Sequence, residues 1–142
     1  MSYASVADLI ARYGEEEIQQ RTDRLGAGAI DVAVAQRALI DAEAEIDGYL
    51  AARYRLPLAT TPALLARIAC DIARYRLWED AASEEVRSRY DDARRILEHL
   101  ARGLVSLGLP ADLPDAARPQ PQLAAAKAGP APVFGRDGMG GY

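Results

Sequence analysis

The chain has one cysteine, one histidine, one tryptophan and one phenylalanine in 142 residues, and Lys127 is the sole lysine among 17 basic residues. A lone Cys70 excludes an intramolecular disulfide and makes a reducing, intracellular setting the default expectation. His99 has no second histidine, cysteine or serine motif beside it, so we read it as a surface histidine, not a general base or metal ligand. Cys70 likewise has no neighbour in sequence that would activate it, and reads as a packed thiol. No apolar run is long enough to cross a bilayer, and no basic-then-apolar leader opens the chain; a soluble, unexported protein with no membrane partner is expected. The net charge of −4, from 17 basic and 21 acidic residues, argues against gripping nucleic acid by bulk electrostatics. It leaves open a protein that surrounds DNA without holding it. With no convergent nucleophile, base and orienting group, neither an enzyme nor a bound cofactor is expected.

What the chain does have is helical periodicity and 50% hydrophobic residues, enough for a modest core. The organising stretch runs from Asp31 to Leu58. Behind Asp31 as N-cap, Val32, Ala35, Leu39, Ala42, Ile46 and Tyr49 recur at steps of three and four, which predicts a buried helical stripe of about six turns. Its alanines allow close approach, and Arg55-Leu56-Pro57 ends the run because the residue before proline is pushed out of the helical region. The rest of the core is expected to pack on this helix.

Four other helices are expected around it. Ser5 with Asp8 opens a short one whose apolar face, Val6, Leu9, Ile10 and Tyr13, ends at Gly14. A second short helix starts at Glu15-Glu16-Glu17, three carboxylates that suit a helix start; we read them as solvated, with no catalytic or metal role. Thr61-Pro62 opens a long helix with Leu65, Ile68, Ala69, Ile72 and Arg76 on one face. On it the pairs Arg67–Asp71 and Asp71–Arg74 have the spacing of surface support. Ser83-Glu84-Glu85 caps the last long helix, with a seam at Val86, Tyr90, Ala93, Leu97, Leu100 and Leu104. Its other face carries Arg87, Asp91, Arg94, Arg95, Glu98 and Arg102. Those arginines would serve a DNA-binding helical module of a packaging machine, but the interleaved acids favour a solvated face.

One glycine-bearing loop invites two binding readings, and neither fits. Asp23 to Asp31 lacks the preceding strand and third glycine of a dinucleotide fingerprint. Framed as a calcium loop it puts Gly28 at the turn but Leu25, Ala27 and Val34 where oxygen ligands belong, so it reads as a turn delivering Asp31. The fold class is therefore all-α: a compact bundle of three long and two short helices over residues 1–108, followed by a Pro/Ala/Gly-rich linker and C-terminal arm over 109–142. Near the arm's end Val133, Phe134, Arg136, Asp137, Met139 and Tyr142 gather its anchoring side chains, and we read them as a docking peptide.

One set of short motifs carries a resemblance. Arg12-Tyr13-Gly14-Glu15, Thr22-Asp23-Arg24, Ile46-Asp47-Gly48-Tyr49-Leu50, Arg53-Tyr54, Leu56-Pro57-Leu58 and Asp71-Ile72-Ala73-Arg74-Tyr75 look together like the Mu-like bacteriophage and prophage neck protein family. That resemblance implies a structural virion protein at the head–tail junction, assembled in the host cytoplasm. It implies an adaptor that forms a homo-oligomeric ring of about twelve copies. The ring would sit on the portal protein, meet the next neck or tail-completion protein, and enclose DNA without sequence-specific binding.

Overall fold

In the computed structural model, which describes residues 2–109, helices form where the sequence places caps. Helix α1 (Val6–Tyr13) begins at Ser5, whose side chain accepts from the Asp8 amide while the Asp8 carboxylate accepts from the Ser5 amide, a reciprocal capping box. Gly14, at φ +92°, turns the chain directly into α2 (Glu15–Thr22). Asp31 caps α3 (Val32–Leu50) by accepting from the amides of Ala33 and Val34. Helix α4 (Ala63–Trp78) has Pro62 as its N-cap, one residue later than Thr61 suggested, since the fixed proline φ lets its extended conformation lead into the first turn. A 3₁₀ turn (Glu79–Ala81) then leads to α5 (Glu84–Arg102), capped by Ser83 and closed by left-handed Gly103. These five α-helices make an all-α body, with no strand among the described residues.

Side-chain pairs fix the directions of the long helices. Glu45 meets Tyr90 and Arg53 meets Gly103, so α3 and α5 run the same way, while Arg74 lies by Glu85 and Arg67 shares a depression with Asp92, so α4 runs against both. The C-terminal ends of α3 and α5 meet where the Arg53 guanidinium lies against Gly103. Alanines 35, 38 and 42 of α3, 69 and 73 of α4, and 93 of α5 are buried at the seams and let the backbones approach. Around them Leu9, Ile18, Ile46, Leu65, Ile68, Ile72, Leu97 and Leu100 are fully buried. Each such side chain contributes about 1.5–3 kcal/mol by leaving water. Leu39 and Ala42 are buried with them, while Tyr49 and Tyr90 are half-buried at the edge of the same core.

Several expectations need correcting. Helix α3 does pack on the other four α-helices, but α4 is the more deeply buried: nine of its 16 residues are buried, against six of 19 in α3. Its run from Ala63 to Ala73 is apolar except for Arg67 and Asp71, and a helix apolar on every side belongs inside. Helix α3 stops at Leu50, before the stretch leading to Leu56-Pro57, so it is about a turn shorter than expected. Val32, in the first turn, is 50% exposed at the rim of α3 and not buried in its stripe. Leu104 leaves the α5 seam and is 68% exposed, since Gly103 redirects the chain one residue earlier.

Candidate functional site

The most developed polar constellation is inside the bundle, where α1 and α2 lie on α4. Glu17 accepts from Arg74 Nε at 2.7 Å and Nη2 at 2.9 Å, a two-pronged pairing, and from Trp78 Nε1 at 3.1 Å. Arg74 also stands over the Tyr13 ring, 4.4 Å from its centroid, and Arg21 stacks over Trp78 at 3.9 Å. The Tyr13 hydroxyl donates to Asp71 Oδ1 at 2.6 Å. Asp71 and Arg74, expected on the surface, are 4% and 8% exposed. Glu17, expected to be merely solvated, is the acceptor that makes burial of Arg74 tolerable. The sequence signal for this was the apolar surround of α4; helical spacing alone cannot separate an internal pair from a solvated one, because the partners come from another helix.

The electrostatics follow from that geometry. Burial pushes the Glu17 carboxyl up, but hydrogen bonds from Arg74 and Trp78 outweigh it and hold the group below the usual glutamate range. The hydrogen bond to Glu17 raises Arg74 in turn. Tyr13 is pushed well above the ordinary phenol range, first by burial and then by its bond to Asp71. Tyr3 is raised for the same reasons, by burial and by donating to Asp47 on α3. Burial also raises the Cys70 thiol to about 11, so it stays protonated and inert near neutral pH. These groups hold elements together, joining α1 and α2 to α4 and residue 3 to α3.

Elsewhere the polar residues are tied locally. Glu45 takes Arg76 Nη2 at 2.6 Å and the Tyr90 hydroxyl at 3.1 Å, and Tyr90 stacks on Tyr75 with ring centroids 4.1 Å apart. In the 23–31 loop the Asp23 carboxylate accepts from the amides of Ala27 and Gly28, and the Asp31 amide donates to Thr22 Oγ1. The loop uses its own acid to close a turn. Among the described residues no group of three or more His, Cys, Asp and Glu side chains could hold a metal ion. His99 is half-buried beside the end of α5, where its carbonyl accepts from Leu104. On the outer face of α5, Arg89 pairs with Glu85 and Arg95 with Asp92, while Arg94 leans toward Tyr90, so the arginines do not form an unbroken basic stripe. The anchoring residues Val133, Phe134, Arg136, Asp137, Met139 and Tyr142 lie outside the described residues.

One open apolar groove stands out on the surface. About 520 Å³ in volume, it lies between residues 2–7 and the first half of α3, lined by Ala4, Val6, Val32, Leu39, Ile40 and Glu43 among others. Leu39 forms its floor, while Val32 and Ile40, 50% and 62% exposed, form its rim.

Fold and surfaces together define an all-α body whose Glu17, Arg74, Trp78, Tyr13 and Asp71 pair with one another inside it, and whose apolar groove is open. The chain belongs to the bacteriophage Mu Gp36 family, whose model matches residues 3–125. It is 44% identical over 110 residues to the Mu-like prophage FluMu protein gp36 of Haemophilus influenzae, covering 78% of each chain. Against gene product J of Escherichia phage Mu it is 39% identical over 141 residues, 99% of each chain. It is thus similar to proteins of a phage and of a prophage over most or all of its length.

Proposed function

We propose that this protein is a structural, non-enzymatic component of a Mu-like virion: a head–tail connector that assembles as a ring on the portal and joins the capsid to the next neck protein. The observation that carries this reading is the internal Glu17–Arg74–Trp78 cluster with Tyr13–Asp71, which fixes the two short helices on α4 and commits its polar groups to holding the body together. A rigid body with open surfaces is what a ring subunit needs, and membership of the Mu Gp36 family is in keeping with it. In this reading the helical body makes the ring and Val133 to Tyr142 anchors it on a neighbour, reached through the proline-rich linker. The overall negative charge, −4, suits a channel wall past which DNA slides.

The test is the mass of the full-length protein in solution, alone and mixed with its portal ring, with and without residues 123–142. A protein that joins the portal in many copies, and loses that ability without its last twenty residues, fits the adaptor. A full-length chain that ignores the portal and binds duplex DNA with a steep salt dependence would instead support the packaging-module reading.

A further inference from the structure

Large apolar side chains that stand exposed on the described body gather at two separate places, apart from Leu25 in the 23–31 loop. One is the groove of residues 2–7 and α3, with Val32 and Ile40. The other is a knob just past the end of α5, where Leu104 is 68% and Val105 40% exposed. The Leu107 amide donates to the Tyr54 hydroxyl at 3.1 Å and pins this knob to the C-terminal end of α3. The groove occupies the other half of α3: Ile40 is ten residues from Leu50, roughly 15 Å along the helix axis, and Val32 lies farther still. A copy therefore cannot seat its own knob in its own groove.

Charge divides in the same way. From Gly48 to Cys70, and again from His99 to Leu109, the chain carries Arg53, Arg55, Arg67 and Arg102 and no carboxylate. Arg53 packs against Gly103, beside Arg102, so arginines flank the knob directly. The groove has no basic residue in its lining, includes Glu43, and is flanked by Asp8 through the Ser5 cap. An apolar knob flanked by arginines is thus complementary in charge and polarity to an apolar groove edged by carboxylates. The two patches differ, so the contact they make is heterologous, the type that closes into a ring when the rotation allows.

We infer that neighbouring copies meet by seating Leu104 and Val105 of one, flanked by Arg53 and Arg102, in the groove of Val6, Val32, Leu39 and Ile40 of the next. This rests on the ring reading above and assigns the faces that make the ring. Val105→Asp disables the knob and Ile40→Asp the groove; both sites are exposed, so each full-length variant keeps its fold, checked by circular dichroism. Sedimentation across a concentration series should show self-association weakened on the order of tenfold or more in each variant alone. Mixed together, the two retain one good knob and one good groove. The mixture should then form a heterodimer of twice the 15.3 kDa chain and stop there. If free wild type does not assemble measurably, Ile40→Cys mixed with Val105→Cys under mild oxidation reads the same contact as a cross-linked pair, since Cys70 is buried.

Variants that assemble as wild type does would overturn the face assignment while leaving the ring reading standing. A wild type that stays at 15.3 kDa on the portal as well as alone, with no cross-link, would remove both. Cross-linking that is absent in the full-length chain and appears only when residues 123–142 are deleted would give the groove to the chain's own arm, and would likewise overturn the knob.

Discussion

Replacing Glu17 with alanine is the sharpest test of how the body is held together. The substitution removes the acceptor of two Arg74 hydrogen bonds and of the Trp78 indole, and leaves the Arg74 charge 8% exposed. Stranding one member of a buried pair costs about 3–5 kcal/mol. Here the loss is softened, because Arg74 keeps the Tyr13 ring and a distant Glu85 at 3.8 Å, and the Glu17 side chain is itself 21% exposed. We expect about 2–4 kcal/mol, read as a fall in Tm of roughly 10–20 °C for a body of about a hundred residues. Adding Arg74→Met should restore more than half of that, since an apolar side chain of similar volume no longer needs an acceptor. The pH dependence follows from the depressed Glu17 value. A carboxylate whose folded value is lowered stabilises the fold fully above its ordinary value of about 4.5 and loses that contribution as pH falls through the folded value. The Tm gap between wild type and Glu17→Ala should therefore be whole at pH 7 and shrink in acid. A gap under about 2 °C at pH 7, or a double variant no better than the single, would refute the buried-pair argument.

Three further outcomes are expected. Cys70, fully buried and with its thiol raised to about 11, should resist maleimide at pH 7.5 in the native protein and react within minutes in denaturant. Gly103→Ala forces an L-residue to φ +77° and puts its Cβ 2.6 Å from the mobile end of Arg53; the left-handed conformation sets most of a loss of about 1–2 kcal/mol, so a thermal melt of Gly103→Ala in an Arg53→Ala background should recover little. Glu79 holds φ +52° at the end of α4, and its ion pair with Arg24 is more than half exposed and contributes little. Glu79→Gly should then raise stability by about 0.5–1 kcal/mol in a urea titration, whereas Glu79→Ala, which keeps the strain, should not.

The caps show what was legible in the sequence: Ser5 with Asp8, Asp31 and Ser83 begin helices where their side chains reach local amides, within three residues of themselves. Such information is contained in a short window. The pairing of Glu17 with Arg74 spans 57 residues and that of Tyr13 with Asp71 spans 58, and no window contains it. Asp71 and Arg74 carry the same i,i+3 spacing as a solvated pair, so periodicity alone put them outside. The apolar run from Ala63 to Ala73 was the overlooked signal, since a helix with apolar residues on all sides has no solvent face on which to carry charges. Leu104 was misplaced for a different reason: the heptad-like seam continues through it in sequence, but Gly103 ends the helix first. The groove was not legible at all, because its two walls, residues 2–7 and α3, are brought together by the Tyr3–Asp47 bond.

The deeper burial of α4 changes where assembly can be encoded. With nine of 16 residues buried against the other helices, α4 has little surface left for a second copy or a portal. The exposed apolar side chains instead belong to α3, to the loop before it and to the segment after α5. Substitutions on α4 should then act through folding, lowering Tm and assembly together, whereas substitutions at Ile40 or Val105 should lower assembly at unchanged Tm. Plotting the two losses against each other for a panel of full-length variants separates stability from interface. An exposed α4 residue such as Arg67 that weakened assembly without touching Tm would move the contact onto α4 and away from the groove.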